Sequence, residues 1–273
     1  MHLRPGIFSV AAGLCIASAQ ERPRIIEWER GVALEAPGGA ATMYLWFYEW
    51  NMFDAMAPGQ HTKGTYDNER HINRDGTAAE IRAAAIQLLV SAVRGGAELT
   101  LRVTNTTDGP WPAIAGIIPC WNPGRVEGTN PSSPEPLNRN FADPGKSRTF
   151  FANASGPTAL TSREIHFNHT LRALVDREPD SRQFVFSSKW PTSPVNATAG
   201  YIVRSSEDGR WVTGIGWDDY LSVQGHNPWS CMHACARVGP LGPSESKTIR
   251  GRLALFRGSV DDGVRYFSRE RTP

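Results

Sequence analysis

The chain predicts an all-β protein, a large antiparallel sandwich of two sheets in a single domain, and three observations predict it. Leu99, Leu101 and Val103 alternate strictly with Thr100, Arg102 and Thr104, the pattern of a strand with one buried face. The pair Gly95-Gly96 separates that run from a second apolar segment, AAIQLLVSAV, and supplies the positive φ that a tight hairpin needs. Short strand-like runs divided by turn residues then recur along the chain, with room for one or two short helices at most.

Taken in order, RIIEW, VALEA and the aromatic-dense TMYLWFYEW, spanning residues 24–50, are strand-like. Residues 51–79 are polar, carry Pro58, Gly59, Gly64 and Gly76, and predict a long loop. The alanines of 78–93 permit a helix, but the run meets a Gly-Gly turn and an alternating partner, so it predicts strand from about Arg82 onward. After 96–104 the stretch NTTDGPWP ends the strand, because proline removes a ladder donor and Asn, Asp and Gly favour turns. Residues 122–147, rich in Pro, Asn and Gly, predict a second long loop. Strand-like runs return at REIHFNH, RQFVFSSKW, GYIVRSS, RWVTGIGW and KTIRGRLALFRG. No repeat and no low-complexity linker divides the chain, and loops this long in a compact domain tend to carry function.

The first residues predict a secretory signal over 1–19: Arg4, an apolar stretch from Ile7 to Ile16, and Ala17-Ser18-Ala19 before Gln20. The domain then covers 20–273, and the expected destination is secreted or periplasmic. No apolar run approaches the roughly twenty residues of a membrane helix. The formal charge of +2 falls to +1 when Arg4 leaves, which argues against nucleic acid and against an anionic membrane surface as partner. Three cysteines remain, Cys120, Cys231 and Cys235. Export favours a disulfide, either one involving Cys120 or a local Cys231–Cys235 link, with one thiol left over. Asn105, Asn153, Asn168 and Asn196 match the glycosylation acceptor pattern, which has meaning only in a eukaryotic secretory route.

Two segments carry a family resemblance. Residues 99–110, LTLRVTNTTDGP, resemble the "L-T-L-x-V-x-N-T-x-D-x-P" hairpin of the galactose mutarotase-like β-sandwiches, and residues 239–246, GPLGPSES, resemble their "L-x-P-G-E-S", with Ser244 where glycine is usual. The resemblance spans roughly 84–123 and 226–258 and implies a sandwich fold and a carbohydrate ligand. The family's "C-x-E-P", whose glutamate is the catalytic base, is matched by Cys231-Met232-His233, which places His233 at the glutamate position. Its "H-P-Y-F" stretch with the catalytic histidine is matched by Ile118-Pro119-Cys120-Trp121. Both signature residues are replaced, so the resemblance implies chemistry other than ordinary aldose 1-epimerisation.

The candidate site follows from residue chemistry. Histidine moves protons near neutral pH or binds metal, so His233 is the expected base or metal ligand, with His226 and His61 assisting. Cys231, His233 and Cys235, with His226 close by, have the makings of a zinc site, although C-x-H-x-C is not a standard knuckle. A divalent metal is the one cofactor in view, and none is required. Sugar rings stack on aromatic faces while their hydroxyls pair with charged groups. Among nine tryptophans about half fill the core, and Trp121 and Trp229, in the two motif segments, are the groove candidates. Arg204 and Arg70 can hold a carboxylate or hydroxyl, and Glu49 and Asp218 are the carboxylates available to a hydrolase. Asp218 and Asp219 are adjacent, so only one can line a groove. No G-x-S-x-G, phosphate-binding loop, dinucleotide fingerprint or H-E-x-x-H is present. The expectation is an exported carbohydrate-active protein acting on an oligo- or polysaccharide by lyase- or epimerase-type proton abstraction. The alternatives are a non-catalytic saccharide-binding sandwich or a glycoside hydrolase.

Overall fold

A computed structural model describes residues 22–28, 30–51, 68–83, 85–124, 137–145, 147–177 and 190–269, with no side-chain description at 47–51. The strands are β1 (Arg24–Trp28), β2 (Gly31–Glu35), β3 (Thr42–Asn51), β4 (Glu69–Ile72), β5 (Ala78–Ala83), β6 (Ile86–Val93), β7 (Gly96–Thr104) and β8 (Gly116–Asn122). They continue as β9 (Thr149–Asn153), β10 (Gly156–Ala159), β11 (His166–Phe167), β12 (Tyr201–Ser205), β13 (Trp211–Trp217), β14 (Tyr220–Gln224), β15 (Met232–Arg237) and β16 (Ser246–Arg257). Two α-helices are described, α1 (Arg172–Arg177) and α2 (Val260–Ser268), and neither is long and apolar enough to cross a membrane.

The strands form two antiparallel sheets. Seven lie in the order β1-β2-β3-β8-β15-β14-β11, and nine in the order β10-β9-β12-β13-β16-β7-β6-β5-β4. The expected hairpin is β6–β7, paired from Ile86↔Val103 to Val93↔Gly96. Its turn needs glycine: Gly95 sits at φ 82 and Gly96 at φ 158, and a Cβ on Gly96 would lie 1.8 Å from the Leu253 carbonyl oxygen. Alternation sorts the faces as expected. Leu99, Leu101 and Val103 point inward with Val32, Leu34, Leu45, Ile117, Ile202, Ile215 and Leu253, so the main core lies between the sheets. At roughly 25 cal/mol per Å² of apolar surface, that shared core is the main stabilising term.

Each outer face has a smaller cluster. On the nine-stranded sheet, Val260, Val264 and Phe267 of α2 pack on Tyr201, Val203 and Val212. The helix starts at a reciprocal cap, in which Asp262 N–H donates to Ser259 Oγ while the Asp262 carboxylate accepts from Ser259. On the seven-stranded sheet, Val175 of α1 joins Ile118, Phe167, Leu221 and Cys235, with Trp190.

Several expectations are adjusted. Strand begins at Ala78 rather than Arg82, and β4 and the start of β5 lie inside the stretch expected to be loop. The hairpin β9–β10 and strands β14 and β15 form where no strand was expected. RQFVFSSKW falls outside the described residues except for Trp190, as does the signal segment.

Candidate functional site

The candidate residues that come together do so on the outer face of the seven-stranded sheet. Residues opposite one another in neighbouring strands point to the same side, and the register runs Trp46↔Cys120, Cys120↔His233 and His233↔Gln224 across β3, β8, β15 and β14. Met232, Ala234 and Trp121 occupy the opposite, inward side. Pro119 lies beside this row in the middle of β8. It has no N–H to give, and the β3–β8 register slips between Trp46 and Trp50 where it stands.

His233 is 4 % exposed, with the Trp190 ring edge-on at 6.1 Å. Arg163 in turn covers the Trp190 ring at 4.8 Å. Gln224 is 1 % exposed, and among the described residues neither its amide nitrogen nor its amide oxygen has a hydrogen-bond partner. Cys120 Sγ, Cys231 Sγ and a ring nitrogen of His233 lie within 4.8 Å of one another, and all three side chains are buried. None of Cys120, Cys231 and Cys235 forms the expected disulfide. The ligand-type cluster is also not Cys231, His233 and Cys235. Cys235 shares the outer face with His233 but sits in the apolar cluster, where burial pushes its thiol well above the ordinary range. Cys120, from a strand distant in sequence, takes its place.

The 225–231 loop borders this cluster and is tightly braced. Asn227 Oδ1 accepts from the backbone N–H of Trp229 (3.1 Å) and Cys231 (3.1 Å), while its Nδ2 donates to Gly225 O (3.2 Å) and Cys231 O (3.0 Å). Ser230 adopts φ 57, the region favoured by glycine, and its hydroxyl accepts from Asp143 N–H. On this loop Trp229 is 44 % exposed. His226 is half-buried at its start.

Arg204 and Trp121 are not on an open groove. Trp121 is 0 % exposed, and its indole N–H donates to Thr213 Oγ1 at 2.8 Å across the core. Arg204, also 0 % exposed, donates to Thr149 Oγ1 (2.7 Å), Phe141 O (3.1 Å) and Ser230 O, beside Asp143 at 3.9 Å. Burial pushes its guanidinium down to about 10, against the pull of Asp143, Cys231 and Cys120, so it stays charged at neutral pH. Both side chains point inward on strands whose alternation puts them there, and an inward arginine needs partners of this kind.

Of the remaining expected residues, Arg70 and Asp218 do not gather at His233. Arg70 lies on the edge strand β4 of the other sheet, bonded to Asn68 and 3.7 Å from Glu27. Asp218 lines a cleft of about 280 Å³ with Tyr201, Arg252 and Phe267, on the α2 side of the nine-stranded sheet. Its neighbour Asp219 pairs with Lys247 at 2.7 Å. Glu49 falls on β3 with its side chain outside the description, and His61 lies outside the described residues. Gln224 and Asn227 escape sequence reading, because an amide has meaning only once its neighbours are known.

No family model matches the chain, and no curated protein matches it. Among solved structures it is similar to a galactose mutarotase-like protein from Lactobacillus casei (10 % identity, 86 % of this chain and 97 % of that one, TM-score 0.45). It is likewise similar to a galactose mutarotase related enzyme from Lactobacillus acidophilus (7 % identity, 87 % and 96 %, TM-score 0.42). A polysaccharide lyase matches at 11 % identity, 88 % of this chain and 33 % of that one, TM-score 0.35.

Proposed function

We propose that the protein is an exported saccharide-binding β-sandwich that receives a sugar ring on Trp229. The observation that carries this reading is the exposure of that indole on a loop whose backbone is held from both sides by one buried asparagine. A flat apolar ring on a fixed support offers the C–H face of a sugar a large contact while losing little conformational freedom on binding. His226, three residues earlier on the same loop and half-buried, is the nearest polar side chain in sequence that is not fully buried, and so the nearest polar partner for a hydroxyl.

The burial of His233 favours binding over proton abstraction. A base must come within about 3 Å of the proton it takes, and at 4 % exposure a sugar C–H reaches His233 only after its packing opens. Arg204, the expected electrophilic helper, is fully buried, with Nε donating to Thr149 and Nη1 to two backbone carbonyls.

Calorimetry on a glycan panel, run with wild type and Trp229→Ala, tests the reading. Wild type should bind at least one oligosaccharide, and the variant should bind it at least about tenfold more weakly, ~1.4 kcal/mol, with unchanged melting. Absence of binding to any glycan, or equal binding by the variant, overturns it. Growth of unsaturated-sugar absorbance would instead establish the lyase alternative. Sequencing of the exported protein should find Gln20 first.

A further inference from the structure

We propose that Cys120, Cys231 and His233 bind one zinc ion, with a fourth position left open toward Gln224. The three ligand atoms already lie within 4.8 Å of one another. Tetrahedral zinc, with Zn–S near ~2.3 Å and Zn–N near ~2.0 Å, needs sulfurs about 3.8 Å apart and sulfur–nitrogen distances of about 3.6 Å. Side-chain shifts of about an ångström or less close the set without moving a strand.

The donor chemistry selects the ion. Two thiolates and an imidazole with no carboxylate suit a thiophilic cation and not calcium or magnesium. Three protein ligands of the type Cys₂His leave one position for water. Gln224, opposite His233 in the register and buried without a partner among the described residues, is placed to hydrogen-bond such a water. Asn122 Nδ2 points at Cys120 Sγ from 3.5 Å, a donor suited to a thiolate. Zinc with two thiolates is neutral, so its binding adds no net charge beside Arg204, Asp143 and Arg148. On binding, the two thiols each release a proton to solvent and the imidazole enters neutral.

Convergence separates this cluster from buried cysteine as ordinary filler. Its members come from β8, the 225–231 loop and β15, whereas Cys235, on the same face of β15, meets the apolar cluster, the Ala236 carbonyl and Ser222. The inference rests on this geometry and not on the saccharide reading.

The test uses the full chain produced with zinc supplied, analysed by elemental mass spectrometry, and by cobalt titration for the thiolate-to-metal charge-transfer band. Wild type and Cys235→Ser should each hold one metal per chain and show the band. Cys231→Ser, with Cys120 as its one remaining thiolate ligand, should show a charge-transfer band of about half the intensity and bind at least about a hundredfold more weakly, a larger loss than removal of an outer-shell partner causes. Should the variant not fold, the wild type still decides. Zinc should protect two of its cysteines from alkylation and release two protons per ion. Folded wild type that takes up no zinc, a Cys231→Ser variant that keeps a full equivalent, a set that loads copper(I) only, or a Cys120–Cys231 disulfide in zinc-supplied protein overturns the proposal.

Discussion

Replacing Arg204 with methionine separates a structural arginine from a ligand-binding one. The substitution removes three hydrogen bonds donated by a charged group, to Thr149 Oγ1, Phe141 O and Ser230 O, and fills the space with an apolar chain of similar length. It also takes one of two guanidiniums away from buried Asp143, which keeps the Thr149 hydroxyl and Arg148 beside it. Burial alone would push the Asp143 carboxyl up, but the Thr149 hydroxyl, Arg204 and Arg148 together hold it below the ordinary range. Breaking a buried ion pair, here bridged by the Thr149 hydroxyl, at one partner costs about 3–5 kcal/mol. At roughly 2–4 °C per kcal/mol for a chain of this size, melting should fall by about 6–20 °C. Thermal denaturation followed by circular dichroism measures the loss. Adding Asp143→Asn should recover part of it, with coupling of at least ~1 kcal/mol. A variant that melts within a degree or two of wild type but no longer binds its saccharide would refute the reasoning and return Arg204 to the ligand.

Gly96→Ala should abolish folding or cost more than about 4 kcal/mol, because its Cβ would meet the Leu253 backbone and no side chain can be moved to relieve it; soluble yield and circular dichroism report it. Ser244 sits at φ 64, so Ser244→Gly should raise stability by up to about 1 kcal/mol in a denaturant titration, as left-handed strain of ~1–2 kcal/mol is partly offset by glycine's freer unfolded chain. Acid should destabilise the fold between about pH 4 and pH 2. Asp143 is held low, and the Ser259 amide and hydroxyl with Arg265 hold Asp262 at about 2, so their stabilisation is complete above the ordinary carboxylate value and is lost as pH falls through the folded one. Asp262→Asn should shrink that acid-dependent drop in melting temperature.

The sequence made the hairpin legible because both of its signals are local: a glycine pair and a period of two. It also marked the 226–258 block, and the glycine expected at 244 now has its reason in the positive φ there. What it could not show depends on register. Cys120 stands more than a hundred residues from His233, and only the pairing of β8 with β15 makes them neighbours. Trp121 is a groove candidate by its place in the first motif segment, yet β8 is buried at every position. Arg204 was the more readable miss. In YIVRS the inward parity belongs to Ile202 and Arg204, and a charge on an inward parity signals an internal tie before it signals a ligand.

The place of β16 has a consequence for how the chain folds. It is the longest strand and the last in sequence among those described, yet it lies at the middle of the nine-stranded sheet, paired with β13 on one side and β7 on the other. Until it has been synthesised, the β4–β7 meander and the β9–β13 group are two separate fragments with open edges facing each other. Their union closes a loop spanning more than half the molecule, an ordering cost that must be met before the contacts repay it. A chain released in stages from the ribosome, or threaded through a pore, therefore cannot assemble this sheet piecemeal. It stays incomplete until its final strand arrives, and any truncation ahead of β16 leaves two unpaired edges open to aggregation.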